Sequence, residues 1–255
     1  MKVDENSMLI WYPKIKDLNI PQPKTEFYIF DKDILKDLYD EKFRLPMKEI
    51  KKIANKIGYP LFIRTDLSSA KHSWNESCYV EKEGDLEKHI MEVIKFNLCA
   101  DLMGLNFKAL YFREFIQMDS KFKAFWGNMP VNPERRYFIK DGKIQCHHVY
   151  WIEEAIEKGG NLEILPKNWK EILKEINTET EEEIKFLSEY VNQISKLFPK
   201  GYWSIDFCKA KNGDWILIDM ATGERSWHDE NCKYYVKPRD LLNDSKVINE
   251  FKIIK

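Results

Sequence analysis

The sequence has no hydrophobic run near the ~20 residues that a membrane-spanning helix needs, so a membrane is not expected as a partner. Its first residues, MKVDENSMLIWYPK, lack a long apolar core and carry acids early, which argues against a secretory leader. Cysteine is sparse: Cys78, Cys99, Cys146, Cys208 and Cys232 are scattered, odd in number and without a CxxC pair. This spacing gives neither a disulfide framework nor a zinc cluster, and reduced thiols in a cytoplasmic protein are expected. Charge of one sign is not in excess either. The 41 Lys and Arg against 42 Asp and Glu leave a net charge of −1, which gives no global electrostatic case for nucleic acid as a partner. GxGxxG and GxxxxGK[ST] are both missing, so a Rossmann or P-loop nucleotide site is unsupported. No Ser-His-Asp or Cys-His arrangement offers a side-chain nucleophile. No internal repeat or low-complexity segment is present.

What is there is an ordinary globular composition, 33% charged and 44% hydrophobic, with enough Trp, Tyr and Phe to fill a sizeable core. The most informative stretch is GYWSIDFCKAKNGDWILIDMATGERSW, residues 201–227. Two apolar runs, 202–208 and 214–220, flank a polar turn at 209–213. Asn212-Gly213 is a hairpin signal because both residues tolerate positive φ. Asp206 lies inside the first run and Asp219 inside the second. A carboxylate among Trp, Ile and Phe is costly to bury unless a cation accompanies it. Two on adjacent strands fit a Mg²⁺ site of hard oxygen ligands; equally, each could sit at a wet strand end or pair with an Arg or Lys.

The remaining chain reads as mixed α and β. A short strand at 27–30 is followed by a helix capped by Asp31 or Asp33 and running to Tyr39. Residues 45–59 form a helix with Pro46 in its first turn and Gly58 at its C-cap. A strand at 61–64, a polar loop at 65–74 and a returning strand at 78–81 follow. Residues 85–103 form a long amphipathic helix, and 107–115 a strand. A connector with Gly127, Pro130 and Pro133 leads to a hairpin at 135–150 turning on Asp141-Gly142. A short and a long helix fill 169–198, the latter started by Thr180 with a buried stripe from Ile184 to Leu197. The charged tail carries a weak apolar end at 251–254. Cys146-His147-His148 suggests a metal only superficially, since alternation sends His147 and His148 to opposite faces.

Four cations fall at informative places. Arg64 ends an apolar strand, Lys71 lies in the Ser-rich loop, Arg113 interrupts a strand just before Glu114, and Arg136 lies on a strand beside Arg135. Each alone could simply pair with an acid. Together they match a polyphosphate, which Arg grips with a planar fork and Lys with a point charge. Ser68 and Ser69 could add hydrogen bonds to phosphate. His72 reads as a solvated loop residue, and Trp74 and Trp227 as packing residues able to line a cleft.

Four stretches in order, GYPLFIRTDLSSAKHSW, ALYFREFIQM, ERRYFIKDGKI and SIDF…WILIDMATG, resemble motifs of the ATP-grasp superfamily. Within it the chain is similar to the clade marked by two arginines and a lysine. That clade includes the eukaryotic cell-division-cycle protein that assists assembly of translation initiation factor 2. The resemblance implies an α+β fold in which two subdomains clamp ATP, with a reduced N-terminal unit (1–45), a small subdomain and hinge (46–118), a large subdomain with the metal hairpin (119–230) and a tail (231–255). It implies that Arg64, Lys71, Ser69, Arg113 and Arg136 hold phosphates, and that the hinge Glu114, Phe115 and Ile116 reads adenine through its backbone. It further implies that Asp206 and Asp219 hold Mg²⁺. Arg136 and Lys71 are the candidate catalytic residues, steadying charge on a transferred phosphoryl group. The expected activity is a carboxylate–amine ligase working through an acyl phosphate, with unidentified carboxylate and amine substrates. The alternative is an ATP-binding assembly chaperone for a protein partner. Many members carry an Asn two residues after the second acid. Ala221 stands there, so a metal ligand is missing or is supplied by Glu224 or Thr222.

Overall fold

The computed structural model describes residues 4–31, 44–101, 107–159 and 161–237. Ser7 opens α1 (Met8–Ile15) by accepting a hydrogen bond from the Leu9 N–H at 3.1 Å. Pro13 removes one bond of this helix, but Met8, Trp11, Tyr12 and Ile15 still form a buried stripe. Next come β1 (Thr25–Ile29) and α2 (Met47–Ile57), which buries Ile50 and Ala54 and ends at Gly58 with φ +89°. β2 (Leu61–Thr65), a 3₁₀ turn at Lys71–Ser73, β3 (Tyr79–Val80), α3 (Leu86–Asp101) and β4 (Ala109–Glu114) complete an antiparallel sheet in the order β1-β4-β2-β3. Leu86, Ile90, Val93 and Ile94 from α3 bury that sheet's Leu61, Ile63, Leu110 and Phe112.

The second half begins with a two-stranded hairpin, β5 (Phe122–Ala124) and β6 (Met129–Val131). Its tip lies on the Lys71 loop. The Gly127 N–H donates to the His72 carbonyl at 3.0 Å, and a Cβ on Gly127 would stand 2.2 Å from the Trp74 nitrogen. β7 (Glu134–Lys140) and β8 (Lys143–Val149) follow, then α4 (Glu153–Lys158), α5 (Trp169–Ile176), α6 (Glu181–Ser195), β9 (Tyr202–Lys209) and β10 (Trp215–Thr222). These strands make the second sheet, β10-β9-β7-β8, again antiparallel. Because successive strand side chains alternate, Tyr137, Ile139, Ile205 and Phe207 face α1 and α6, where they meet Trp11, Leu187, Val191 and Ile194. The opposite face is left to Glu134, Arg136 and Asp206, and it looks toward the first sheet.

This is the α+β arrangement of two helix-backed sheets that the sequence implies. The differences are local. α1 forms despite Pro13, in a segment for which the sequence suggests no helix, because its stripe inserts into the second core. The connector around Pro130 is the β5–β6 hairpin, where an edge position spares Pro130 a ladder bond. α4 was not legible in a segment of mixed charge. Only Gly213 of the Asn212-Gly213 pair takes positive φ, whereas Asp141 and Gly142 both do. Phe198, not Leu197, extends the buried stripe of α6. The helix expected through Tyr39 and the apolar end at 251–254 lie outside the described residues.

Arg135 ties the second sheet to the start of α6. It is 1% exposed, donates to Glu183 at 2.6 Å and to the Ile176 and Thr178 carbonyls, and lies over the Trp215 ring. Arg135→Ala leaves the buried Ile176 carbonyl and the Glu179–Glu183 pair without their cation, and should cost about 3–5 kcal/mol in urea unfolding. A loss below about 1 kcal/mol would show that this cluster does not hold the layers together.

Candidate functional site

A row of charge crosses the second sheet. Arg136 on β7 lies directly opposite Asp206 on β9, and Asp206 opposite Asp219 on β10. The Arg136 Nε and Nη2 fork onto both Asp206 oxygens at 2.8 and 2.7 Å, with both residues buried. Burial opposes the Arg136 charge, but Asp206 outweighs it and the pKa of Arg136 is raised. Asp219 reaches this face through an irregularity. The register runs Ile216↔Cys208, Leu217↔Phe207 and then Asp219↔Asp206, so Ile218 is a bulged residue. Without the bulge, Asp219 would oppose Ile205 and point into the core. The bulge also leaves the Ile218 carbonyl free to accept from Arg113 Nη1 at 2.5 Å.

The first sheet supplies the facing cations. Arg64 on β2 donates to Asp219 Oδ1 at 2.7 Å and, through Nε, to the Thr65 carbonyl. Arg113 on β4 is buried and has no carboxylate within ion-pair distance among the described residues; its Nε has no partner at all. Burial, reinforced by the Arg64 charge, pushes the Arg113 pKa down to about 10. Lys71 donates to the Tyr150 hydroxyl at 2.7 Å, lies over the Tyr150 ring and stands 3.9 Å from Glu134. Burial works against the Lys71 charge, yet Tyr150 and Glu134 together raise its pKa. Glu134 is 3% exposed with Oε1 unbonded, and burial pushes its pKa up to about 7 against the pull of Lys71.

These groups line one cleft of about 790 Å³, counting the solvent at its mouth. Arg64, Ser69, Lys71, Arg113, Glu114, Phe115, Ile116, Asp206 and Asp219 all border it; Arg136 stands behind Asp206. The hinge end is apolar, with Phe62, Trp74, Phe115, Met118 and Met129. Among the described residues, the backbones of Phe115 and Ile116 have no protein hydrogen-bond partner. Ser68 turns inward to Asn97 at 3.0 Å, whereas Ser69 borders the cleft. His72 stacks on Phe125. Trp227 lies outside the cleft, although its carbonyl accepts from Arg136 Nη1 at 3.2 Å. Thr222 is bonded through its N–H to Asn6, and neither it nor Glu224 borders the cleft.

Sequence reading passed over Glu134 and Tyr150. Glu134 was recoverable, since strand alternation places it on the Arg136 face. Tyr150 carried no signal. The scattered cysteines also resolve differently: Cys146 and His148 share a face of β8, and His228 and Cys232 join them. Burial, with the Cys232 thiol alongside, pushes the Cys146 pKa up to about 12.

Two helix-backed antiparallel sheets facing each other across a cleft of buried cations and carboxylates define a nucleotide clamp of the ATP-grasp class. A model of the ATP-grasp domain, R2K clade family 3, matches residues 54–243, and the chain belongs to that family. The structure of Cdc123 from Schizosaccharomyces pombe is similar at 16% identity and a TM-score of 0.50, covering 86% of this chain and 83% of that one. D-alanine–D-alanine ligase from Bacillus anthracis complexed with ATP is similar at 13% identity and a TM-score of 0.45, over 85% of this chain and 54% of that one. A RimK-domain ATP-grasp protein from Sphaerobacter thermophilus has 12% identity and a TM-score of 0.44, over 85% and 58%. The chain thus spans little more than half the length of these last two. No curated protein matches the sequence.

The raised pKa of Glu134 has a definite sign in stability. The folded state holds this proton more tightly than the unfolded chain, so the contribution is complete below about 4.5 and is lost as pH rises through about 7. Glu134→Gln keeps the neutral form. The variant should match wild type near pH 4.5 in thermal melts and exceed it at pH 8, by on the order of 1–3 kcal/mol. A variant less stable than wild type at pH 8 would show that the pull of Lys71 outweighs burial and that the Glu134 pKa is not raised.

Proposed function

We propose that the cleft binds ATP with Mg²⁺ and that the chain acts on a protein partner as an assembly factor with little or no turnover. Arg113 carries the nucleotide part of this reading. A buried guanidinium with no carboxylate partner, aimed into a cleft, calls for an anionic ligand. In this reading Arg64, Lys71, Ser69 and Arg113 receive the phosphates, while Arg136, expected among them from the sequence, stays behind Asp206. The apolar hinge end takes adenine between Phe62, Trp74 and Phe115, and the free backbone groups of Phe115 and Ile116 beside Glu114 meet its edge.

The donor set fits Mg²⁺. Asp219 keeps Oδ2 without a protein partner among the described residues, and Glu134 Oε1 is unbonded, so two hard oxygens are available beside Asp206. When bound, the ion would offset phosphate charge. Lys71 would hold charge on the terminal phosphate, Arg136 would keep Asp206 in place, and the Arg64–Asp219 pair would open as its cation turns to phosphate.

A carboxylate–amine ligase with an acyl-phosphate intermediate is the second reading. The inventory of acids favours the first. Both Asp206 oxygens are taken by Arg136, and Ala221, on the same face as Asp219, offers no donor.

Calorimetry on wild type and Lys71→Ala, with ATP·Mg²⁺ and with AMP, tests the site. The variant should lose about 10–100-fold in ATP affinity and less than about 3-fold in AMP affinity. Equal losses for both nucleotides would make Lys71 a fold support. Binding of NAD or S-adenosylmethionine in place of ATP would remove the reading altogether. ADP release that depends on an added carboxylate and amine would shift the assignment to the ligase.

A further inference from the structure

Outside the cleft, four metal-ligating side chains converge on the edge strand of the second sheet. Cys146 and His148 stand two apart on β8 and so leave the same face. His228 and Cys232 reach them from the segment after β10. The ligand atoms of all four lie within 4.8 Å of one another. His228 Nε2 is 3.3 Å from Cys146 Sγ, and its Nδ1 is 2.8 Å from the Tyr202 hydroxyl. If Nδ1 carries the proton and donates it to Tyr202, the Nε2 lone pair faces the thiol, the arrangement in which metal-bound imidazoles are held. Phe138 stacks on the His228 ring at 4.1 Å and fixes its plane. The Nε2 of His148 is buried and unbonded. Among the described residues no hydrogen bond accounts for that atom, whereas a ligand at the centre of the four would.

We propose that Cys146, His148, His228 and Cys232 bind one Zn²⁺ ion and that this site clamps the segment after β10 onto β8. Two sulfurs and two imidazole nitrogens are the donor set of tetrahedral zinc and are unsuited to Mg²⁺ or Ca²⁺. Four protein ligands leave no open position, so the role is structural. Binding releases the two thiol protons to solvent, and the two thiolates balance the charge of the ion. The clamp bears on the cleft through one residue: Trp227, next to His228, supplies the carbonyl that receives Arg136 Nη1. The site itself stands whatever ligand the cleft takes.

The test is metal analysis of the full chain, purified without a histidine tag, followed by exchange with Co²⁺. About one zinc per chain is expected, and the cobalt form should show the visible bands of a tetrahedral site with thiolate-to-cobalt charge transfer. Cys146→Ser/Cys232→Ser should lose both signals, while Cys78→Ser, at a buried thiol outside the cluster, keeps them. If the double variant fails to fold, titrating wild type with a mercurial decides: one zinc should leave as the two thiols react. A chain with less than about one zinc in ten molecules, a Cys146–Cys232 disulfide in the peptide map, or an unchanged cobalt spectrum in the double variant would overturn the proposal.

Discussion

The buried fork between Arg136 and Asp206 is the constraint on which the cleft depends. Neither charge is tolerable alone at this depth, and removing one partner leaves the other desolvated and uncompensated. Their geometry is set by register, because β7 and β9 place them directly opposite. Everything facing the pair follows from it. Asp219 lies one strand further along the same row, Tyr150 lies under the guanidinium at 4.5 Å, and the Trp227 carbonyl takes the remaining nitrogen. A sheet face that would otherwise be apolar is thereby committed to charge, and the opposing sheet answers with Arg64, Arg113 and Lys71.

Much of this arrangement was legible in the sequence because it lies on strands. Alternation separates Asp206 from its core-facing neighbours Ile205 and Phe207, and the same rule puts Glu134 with Arg136. Asp219 shows the limit of such reading. The turn at 209–213 alone would set it opposite Ile205, on the core side. A bulge at Ile218, which no residue type announces, brings it to the cleft and at the same time frees a carbonyl for Arg113. Contacts that join distant segments were equally hidden. Tyr150 under Lys71, and His228 and Cys232 beside β8, depend on how the chain returns rather than on local spacing. The acids themselves left two readings open, ion pairing and metal binding. In the free protein Asp206 and Asp219 are both paired with arginine, and the oxygen of Asp219 that remains unbonded leaves the second reading compatible with the first.

The same electrostatic logic separates the two ends of the cleft. At the hinge, Phe62, Trp74 and Phe115 offer flat apolar area with unpaired backbone groups at its edge, which suits a planar heterocycle. At the other end, cations and carboxylates are interleaved closely, and among the described residues Arg113 is the cleft cation that lacks a carboxylate within ion-pair distance. On the proposed reading, an anionic ligand entering there would compete with Asp219 for Arg64 and release that acid toward a cation. Ligand and metal would then be coupled through one exchangeable pair, Arg64–Asp219.

A crystal structure with a non-hydrolysable ATP analogue and Mn²⁺ tests this coupling most directly. The account predicts anomalous density for manganese against Asp219 and Glu134, phosphate oxygens on Arg113 and Lys71, and Arg64 turned from Asp219 to phosphate while the Arg136–Asp206 fork persists. Nucleotide bound outside the cleft, or bound within it with the Arg64–Asp219 pair intact and no manganese at Asp219, would contradict it.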